Sequence, residues 1–136
     1  MQTERIAVSH PMMSYQFTVD NFAASQNDTD LVRVTGIEGA TMPWPGSIVA
    51  IGASLSAAKT AGTLTFYASV GGTVTTFGAA VADDAAIAYA SQASGKTRFD
   101  AGDLVGVKYA SDAELAPDGT AEAIVDLYVV FDKVSV

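Results

Sequence analysis

Side chains able to do catalytic chemistry are scarce in this sequence. It has no cysteine and a single histidine, His10, which precedes Pro11 and stands in no serine–histidine–acid pattern. Without cysteine there is no thiolate nucleophile, no disulfide and no cysteine-ligated metal site. One histidine also cannot form a multi-histidine metal site within one chain. These residue types argue against most enzyme classes, and we predict that the chain is not an enzyme.

Carboxylates are the other candidates for chemistry. Asp112, Glu114 and Asp118 lie within seven residues and have the oxygen ligands that calcium prefers, but their spacing does not match the twelve-residue calcium loop. We interpret the segment as a solvated acidic loop. A pair of carboxylates also suits glycoside hydrolysis. With fifteen acidic residues in 136, however, such pairs arise by chance. We therefore predict no metal, no cofactor and no catalytic residue.

The sequence around Trp44 is more distinctive. This is the only tryptophan, and it stands between Pro43 and Pro45 directly before a strongly apolar segment. Two interpretations stay open for it. Trp44 stacks on a sugar or a partner surface, or it closes one end of the hydrophobic core.

Composition and charge exclude further classes. Seven Lys and Arg against fifteen Asp and Glu give a net charge of −8, which argues against binding to nucleic acid or to an anionic membrane surface. The hydrophobic fraction of 49% is enough for a core. The N-terminus lacks a basic region followed by an apolar stretch, and no apolar run approaches the ~18 residues of a membrane helix. We expect a protein that is made without export.

Any functional site must be positioned by secondary structure, and in this sequence apolar residues recur with a period of two, which is typical of β-strands. Between residues 121 and 131, Ala123, Val125, Leu127, Val129 and Phe131 share one face. Similar alternation covers residues 14–19, 48–55, 63–70 and 105–109, and Gly71-Gly72 predicts a hairpin turn. Residues 83–92 fit a capped helix or a strand, and we favour the strand.

About eight or nine strands separated by Gly, Asp and Pro turns predict a single all-β domain, an antiparallel sandwich or barrel. The alternation places four large apolar side chains on nominally outward faces: Ile48, Ile124, Tyr128 and Val130. Either an oligomer buries these side chains, or the strands are covered on both faces within the monomer.

Three stretches resemble a known family. They are residues 45–51 (PGSIVAI), 55–65 (LSAAKTAGTLT) and 99–108 (FDAGDLVGVK), followed by the strand that ends at Phe131. Together they resemble the small jelly-roll domains of tailed-phage virion proteins, which include head decoration (cement) proteins and some tail or fibre modules. The shape of these domains is similar to the trimeric tumour-necrosis-factor and C1q-like sandwiches. The resemblance covers residues 45–132, about two thirds of the chain.

The resemblance implies an antiparallel jelly-roll β-sandwich of about eight strands over residues 28–136, preceded by an extended N-terminal segment or first strands over residues 1–27. It implies a homotrimer on the exterior of a virion capsid, where it would bind the major capsid protein and stabilise the head. No catalytic residue carries over from the family.

We expect the partner interface to include Met12, Met13, Trp44 and Tyr128. The segment containing His10, Pro11, Met12 and Met13 either reaches a neighbouring subunit or the capsid, or forms an ordinary first strand. The alternative function is a tail or fibre module that binds a glycan or receptor, with Trp44, Tyr67, Tyr89 and Tyr109 as stacking surfaces.

Overall fold

The computed structural model describes residues 11–34 and 36–132, and these residues form strands and turns. None of them forms a helix long and apolar enough to span a membrane. The strands are β1 (Met12–Val19), β2 (Thr29–Asp30), β3 (Ala40–Thr41), β4 (Gly46–Lys59), β5 (Leu64–Val70), β6 (Thr73–Ala80), β7 (Ala85–Ser91), β8 (Arg98–Phe99), β9 (Leu104–Ser111) and β10 (Ala123–Phe131).

Alternating burial explains why these segments are strands. In β10 every second residue from Ala123 to Phe131 is buried, and the residues between them are exposed or half-buried. The prediction that residues 83–92 contain a strand is confirmed by β7. Asp84 has a φ of 64° in the turn before β7, a backbone conformation that aspartate tolerates better than most residues.

The strands form two antiparallel sheets, an arrangement consistent with the predicted β-sandwich. Sheet I has the order β1-β10-β4-β7, with β8 also paired to β4. Sheet II has the order β2-β9-β5-β6, with β3 also paired to β9. Ten strands are therefore present in the described part of the chain, and three of them have only two residues.

One hydrophobic core joins the two sheets. Its largest buried side chains include Phe17 from β1, Phe66 from β5 and Phe131 from β10. Buried alanines such as Ala53 and Ala68 fill the space between these rings. Because alanine removes little apolar area from water, the aromatic and aliphatic residues contribute most of the stabilisation by burial.

The expectation that Ile48 faces outward is wrong, because Ile48 is completely buried. The pairing of β4 with β10 shifts in register there: Ala50 pairs with Tyr128, but Ile48 pairs with Val129. Val49 is thus an extra residue in β4, a bulge that reverses which side chains face the core.

The predicted N-terminal segment is only partly described. Residues 12–19 form β1 and pair with β10 over their whole length, from Met12 opposite Val130 to Val19 opposite Ala123. His10, with the rest of residues 1–10, lies outside the described residues.

Candidate interaction surface

The side of sheet I that faces away from the core is the candidate functional site. Residues that pair across β1, β10, β4 and β7 form rows that cross the sheet, and all side chains of one row lie on the same face. Successive rows face the core and the exterior in turn. The outer face of sheet I consists of Met12, Ser14, Gln16, Thr18, Ala50, Gly52, Ser54, Ile87, Tyr89, Ser91, Ile124, Asp126, Tyr128 and Val130.

Large apolar side chains on this face are open to solvent. Tyr89 is 82% exposed, Ile87 is 64% exposed, Met12 is 61% exposed and Ile124 is 44% exposed. Single exposed apolar residues are common on protein surfaces, but several on one face suggest an interaction site.

The same face carries almost no charge. Asp126 is the one Asp, Glu, Lys, Arg or His among these fourteen residues, although the whole chain has a net charge of −8. Arg98 of β8, which pairs with Ser47 at one end of the face, forms an ion pair with Asp132. Charged residues are depleted in the centres of protein interfaces because burying an unpaired charge is costly. The face therefore has the composition of an interface centre.

A trough of small residues runs along the middle of the face. Ala50, Gly52 and Ser54 of β4 lie between the larger side chains of β10 and β7. A Cβ atom at Gly52 would have no atom within 4 Å, so the trough is open there. Near its end is a depression of about 200 Å³, lined by Ser54, Leu55, Ser56, Glu122 and Ile124.

Two of the four predicted interface residues lie on this face. Met12 pairs with Val130, and the next outward pair along the strands joins Ser14 to Tyr128, so Met12 and Tyr128 lie near one another. Met13 alternates to the opposite side of β1, where it remains exposed near the end of the strand. It does not belong to the outer face.

Trp44 is half-buried and packs against the hydrophobic core. Its ring lies edge-on to Phe131, with 5.5 Å between the ring centroids, and Phe131 contacts Phe99 in the same way at 6.1 Å. These contacts favour the interpretation in which Trp44 closes one end of the core.

The tyrosines named as stacking surfaces differ in exposure. Tyr109 is buried, and its hydroxyl accepts a hydrogen bond from the Ala23 N–H at 3.1 Å, so it is a structural residue. Tyr67 is half-buried on sheet II. Tyr89 is exposed and is the tyrosine of this group that a ligand reaches most readily.

The acidic loop stabilises turns. Asp112 Oδ1 accepts hydrogen bonds from the N–H groups of Thr63 (3.0 Å) and Glu114 (3.2 Å), which hold the pKa of Asp112 below its usual range. Asp118 accepts one from the Ala24 N–H at 2.9 Å. Within residues 11–34 and 36–132, no group of three or more His, Cys, Asp or Glu side chains is arranged to hold a metal ion.

Lys59 is a feature that sequence reasoning missed. Its side chain at the end of β4 is almost completely buried, and its ammonium group pairs with Asp83 and donates a hydrogen bond to the Gly62 carbonyl at 2.6 Å. In the sequence, Lys59 stands at the end of an alternating segment, where a lysine is expected to be exposed on the surface.

Comparison with known proteins gives no independent assignment. The chain matches no protein-family model, and no curated protein is significantly similar to it. The candidate site therefore has to be judged on its geometry and chemistry.

Proposed function

We propose that the two sheets form a jelly roll. The two-residue strands β2 and β3 both pair with β9, so they count as one interrupted strand, and β8 is a short addition to β4. With the strands then renumbered from one to eight, sheet I has the order 1-8-3-6 and sheet II the order 2-7-4-5. This alternation of the chain between two four-stranded sheets is what a jelly roll requires.

We further propose that the protein is a structural virion protein, a homotrimeric decoration protein that binds the major capsid protein on the outside of a phage head and stabilises it. The observation that carries this proposal is the apolar, almost uncharged outer face of sheet I in a strongly acidic chain. Such a face suits contact between copies, because it brings few like charges together. The location on a phage capsid is what the resemblance to virion jelly rolls implies.

Three linked copies suit a clamp between capsid subunits. Each chain needs only modest contacts with the capsid, because binding of one copy raises the effective concentration of the other two at their sites. The acidic surface also suits a protein on the capsid exterior, since it has no attraction for packaged nucleic acid.

Two measurements test this proposal in sequence. Light scattering should give the mass of three 14.0 kDa chains, and the purified protein should sediment with assembled heads of the phage that encodes it. A monomer in solution that also fails to sediment with those heads would refute the proposal. Heads that survive heating or low salt better after the protein is added would support the stabilising role.

One observation favours a second candidate, a glycan-binding module of a phage tail or fibre. The exposed ring of Tyr89 lies in the same row of the face as Asp126 and Gln16, with Gly52 between Tyr89 and Asp126. An exposed aromatic ring beside polar groups is a surface on which a sugar can stack. A glycan array distinguishes the candidates: binding that is lost in Tyr89→Ala would support the second, and a flat array would exclude it.

A further inference from the structure

The outer edge of β7 is open to another strand. β7 is the last strand of sheet I and pairs on one side with β4. The Gln92 N–H donates to the Val49 carbonyl at 2.9 Å, so Gln92 directs its backbone groups towards β4. Successive residues of an antiparallel strand direct theirs to opposite sides. Ile87, Tyr89 and Ser91 therefore direct their N–H and C=O groups away from β4, where no described residue pairs with them.

β7 lacks the features that commonly protect an edge strand. Natural edges are kept from pairing with other chains by charged residues, proline or a bulge. From Ala85 to Ser91 the strand has no charged residue and no proline, and its pairing with β4 keeps one register from Ile87 to Ser91. The side chains of Ile87, Tyr89 and Ser91 are all exposed, so nothing described covers the strand at these residues. By contrast β6, the last strand of sheet II, has a register shift in its pairing with β5.

The charges that flank β7 favour a second copy of β7 as the strand that pairs with it. Asp84 stands directly before β7, and Lys96 stands in the turn between β7 and β8. Both side chains are exposed, and neither forms an ion pair with a described residue. An antiparallel second copy places the acidic end of one β7 beside the basic end of the other, at both ends of the pair. A parallel copy would bring the two acidic ends together, so the edge is self-complementary in the antiparallel direction.

One register uses every outward-directed backbone group. When Tyr89 lies opposite the second copy's Tyr89, Ile87 of each copy lies opposite Ser91 of the other. Each such pair exchanges two backbone hydrogen bonds. Shifting the second copy by two residues in one direction pairs Ser91 with Ala85, whose N–H already donates to the Ala82 carbonyl at 3.2 Å. Shifting it the other way leaves Ile87 opposite a residue beyond the end of β7. The register centred on Tyr89 is therefore favoured.

We propose that two copies of the chain pair antiparallel through the free edges of β7, with Tyr89 at the two-fold axis, so that sheet I continues from one copy into the other. This contact uses the edge of the sheet, whereas the proposed trimer uses its outer face, and the inference does not rest on the trimer. The paired segment from Ile87 to Ser91 is only about 14 Å long. A stable interface buries about 800 Å² per partner, so we expect a weak contact that forms at high protein concentration.

Cysteine cross-linking tests the pairing and its register, since the chain has no cysteine of its own. In Ile87→Cys/Ser91→Cys each thiol lies opposite a thiol of the second copy, so oxidation at high protein concentration should give covalent dimers on a non-reducing gel. The two single variants are the controls. Their thiols lie about 14 Å apart along the paired strands, beyond the reach of a disulfide, and should link at least about ten-fold less. An absence of dimers, covalent trimers or longer products, or equal linking in a single variant would overturn the inference.

Two substitutions at Tyr89 separate backbone pairing from contact between side chains. In the Ile87→Cys/Ser91→Cys background, Tyr89→Pro removes the N–H at the centre of the pair and should abolish the covalent dimer. Tyr89→Ala keeps the backbone groups and should retain most of it. Proline is compatible with an edge strand where the N–H faces solvent, and circular dichroism should show that both variants fold. If Tyr89→Ala lost the dimer as completely as Tyr89→Pro, contact between side chains would explain the linking and the pairing of β7 would be refuted.

Discussion

The outer faces of the two sheets differ in how far other parts of the chain cover them. On sheet I none of the fourteen outer-face residues is buried and one of them is charged, although at one end the chain covers Ser47, whose Oγ accepts a hydrogen bond from the Gly95 N–H at 2.9 Å. On sheet II the chain covers part of the face itself: a Cβ atom at Gly106 of β9 would lie 2.8 Å from the Glu38 carbonyl oxygen and 3.1 Å from Ser69 Oγ. Sheet II also carries an ion pair, with Lys108 Nζ 2.8 Å from Asp30 Oδ1.

The difference indicates which of the two faces would gain more free energy from being covered by a partner. Apolar surface left in water costs free energy, about 25 cal/mol for each Å² that burial would have removed. On sheet II the chain reduces that cost, because the loop that contains Glu38 covers part of the face and because Lys108 and Asp30 form an ion pair there. It leaves most of the outer face of sheet I exposed or half-buried, which is expected if another molecule covers that face.

The largest effect should follow from placing charge on the bare face. In Ile87→Asp/Tyr89→Asp, a copy that associated through this face would bury two unpaired carboxylates, so the mass by light scattering should fall from three chains to one. Circular dichroism should stay that of the wild type, because both side chains are exposed. Thr76→Asp, an exposed position on β6 of sheet II, is the control. A trimer in the double variant would mean that sheet I is not the interface.

Two glycine substitutions, one on each outer face, compare the faces through their effects on the free energy of unfolding. Gly106→Val should lower the free energy of unfolding by about 1–3 kcal/mol, because the new side chain overlaps Glu38 and Ser69. Gly52→Val meets no atom near its Cβ and should be neutral or stabilising by up to ~1 kcal/mol, since glycine weakens a strand. Urea unfolding in the Ile87→Asp/Tyr89→Asp background removes any contribution from association. Equal losses at both glycines would contradict the picture of one covered and one bare face.

The two lysine ion pairs should differ in a similar way. Asp83→Ala leaves the buried ammonium of Lys59 without its charge partner and should cost about 1–2 kcal/mol, less than for a fully buried pair because Asp83 is itself exposed. Asp30→Ala removes the partner of Lys108 on the outer face of sheet II and should cost less than about 1 kcal/mol. Thermal unfolding of both variants measures the difference, and a larger loss for Asp30→Ala would reverse our ranking.

The smallest effect is the pH dependence at Asp112, which lies just beyond the end of β9 in sheet II. Its pKa is lower in the folded chain because the N–H groups of Thr63 and Glu114 donate to its carboxylate. Its stabilisation is therefore present above the unfolded-state pKa of about 3.9 and is lost as the pH falls through the lower folded-state pKa. The urea midpoint of wild type should exceed that of Asp112→Asn at pH 6, and the gap should narrow towards pH 2. A gap that does not change with pH would contradict this.

Much of the fold was predictable because a β-strand has a local sequence pattern, the alternation of apolar and polar residues. The alternation in β10, the turn residues Gly71-Gly72 and the strand character of residues 85–91 depend on neighbours in sequence, and the structure confirms each of them. The candidate surface was half predictable for the same reason. Ile124 and Tyr128 follow from the period of β10, whereas Tyr89 and Ile87 were recognised as strand residues without being assigned to this face.

Sequence alone determined an acidic all-β chain with a core, without cysteine and with one histidine, since composition and a period of two need no third dimension. The tertiary structure decided the rest. A one-residue bulge in β4 turned Ile48 into the core, pairing across four strands assembled the outer face, and Lys59 was buried against Asp83. These outcomes depend on contacts between residues far apart in the chain, and local propensity contains no information about them.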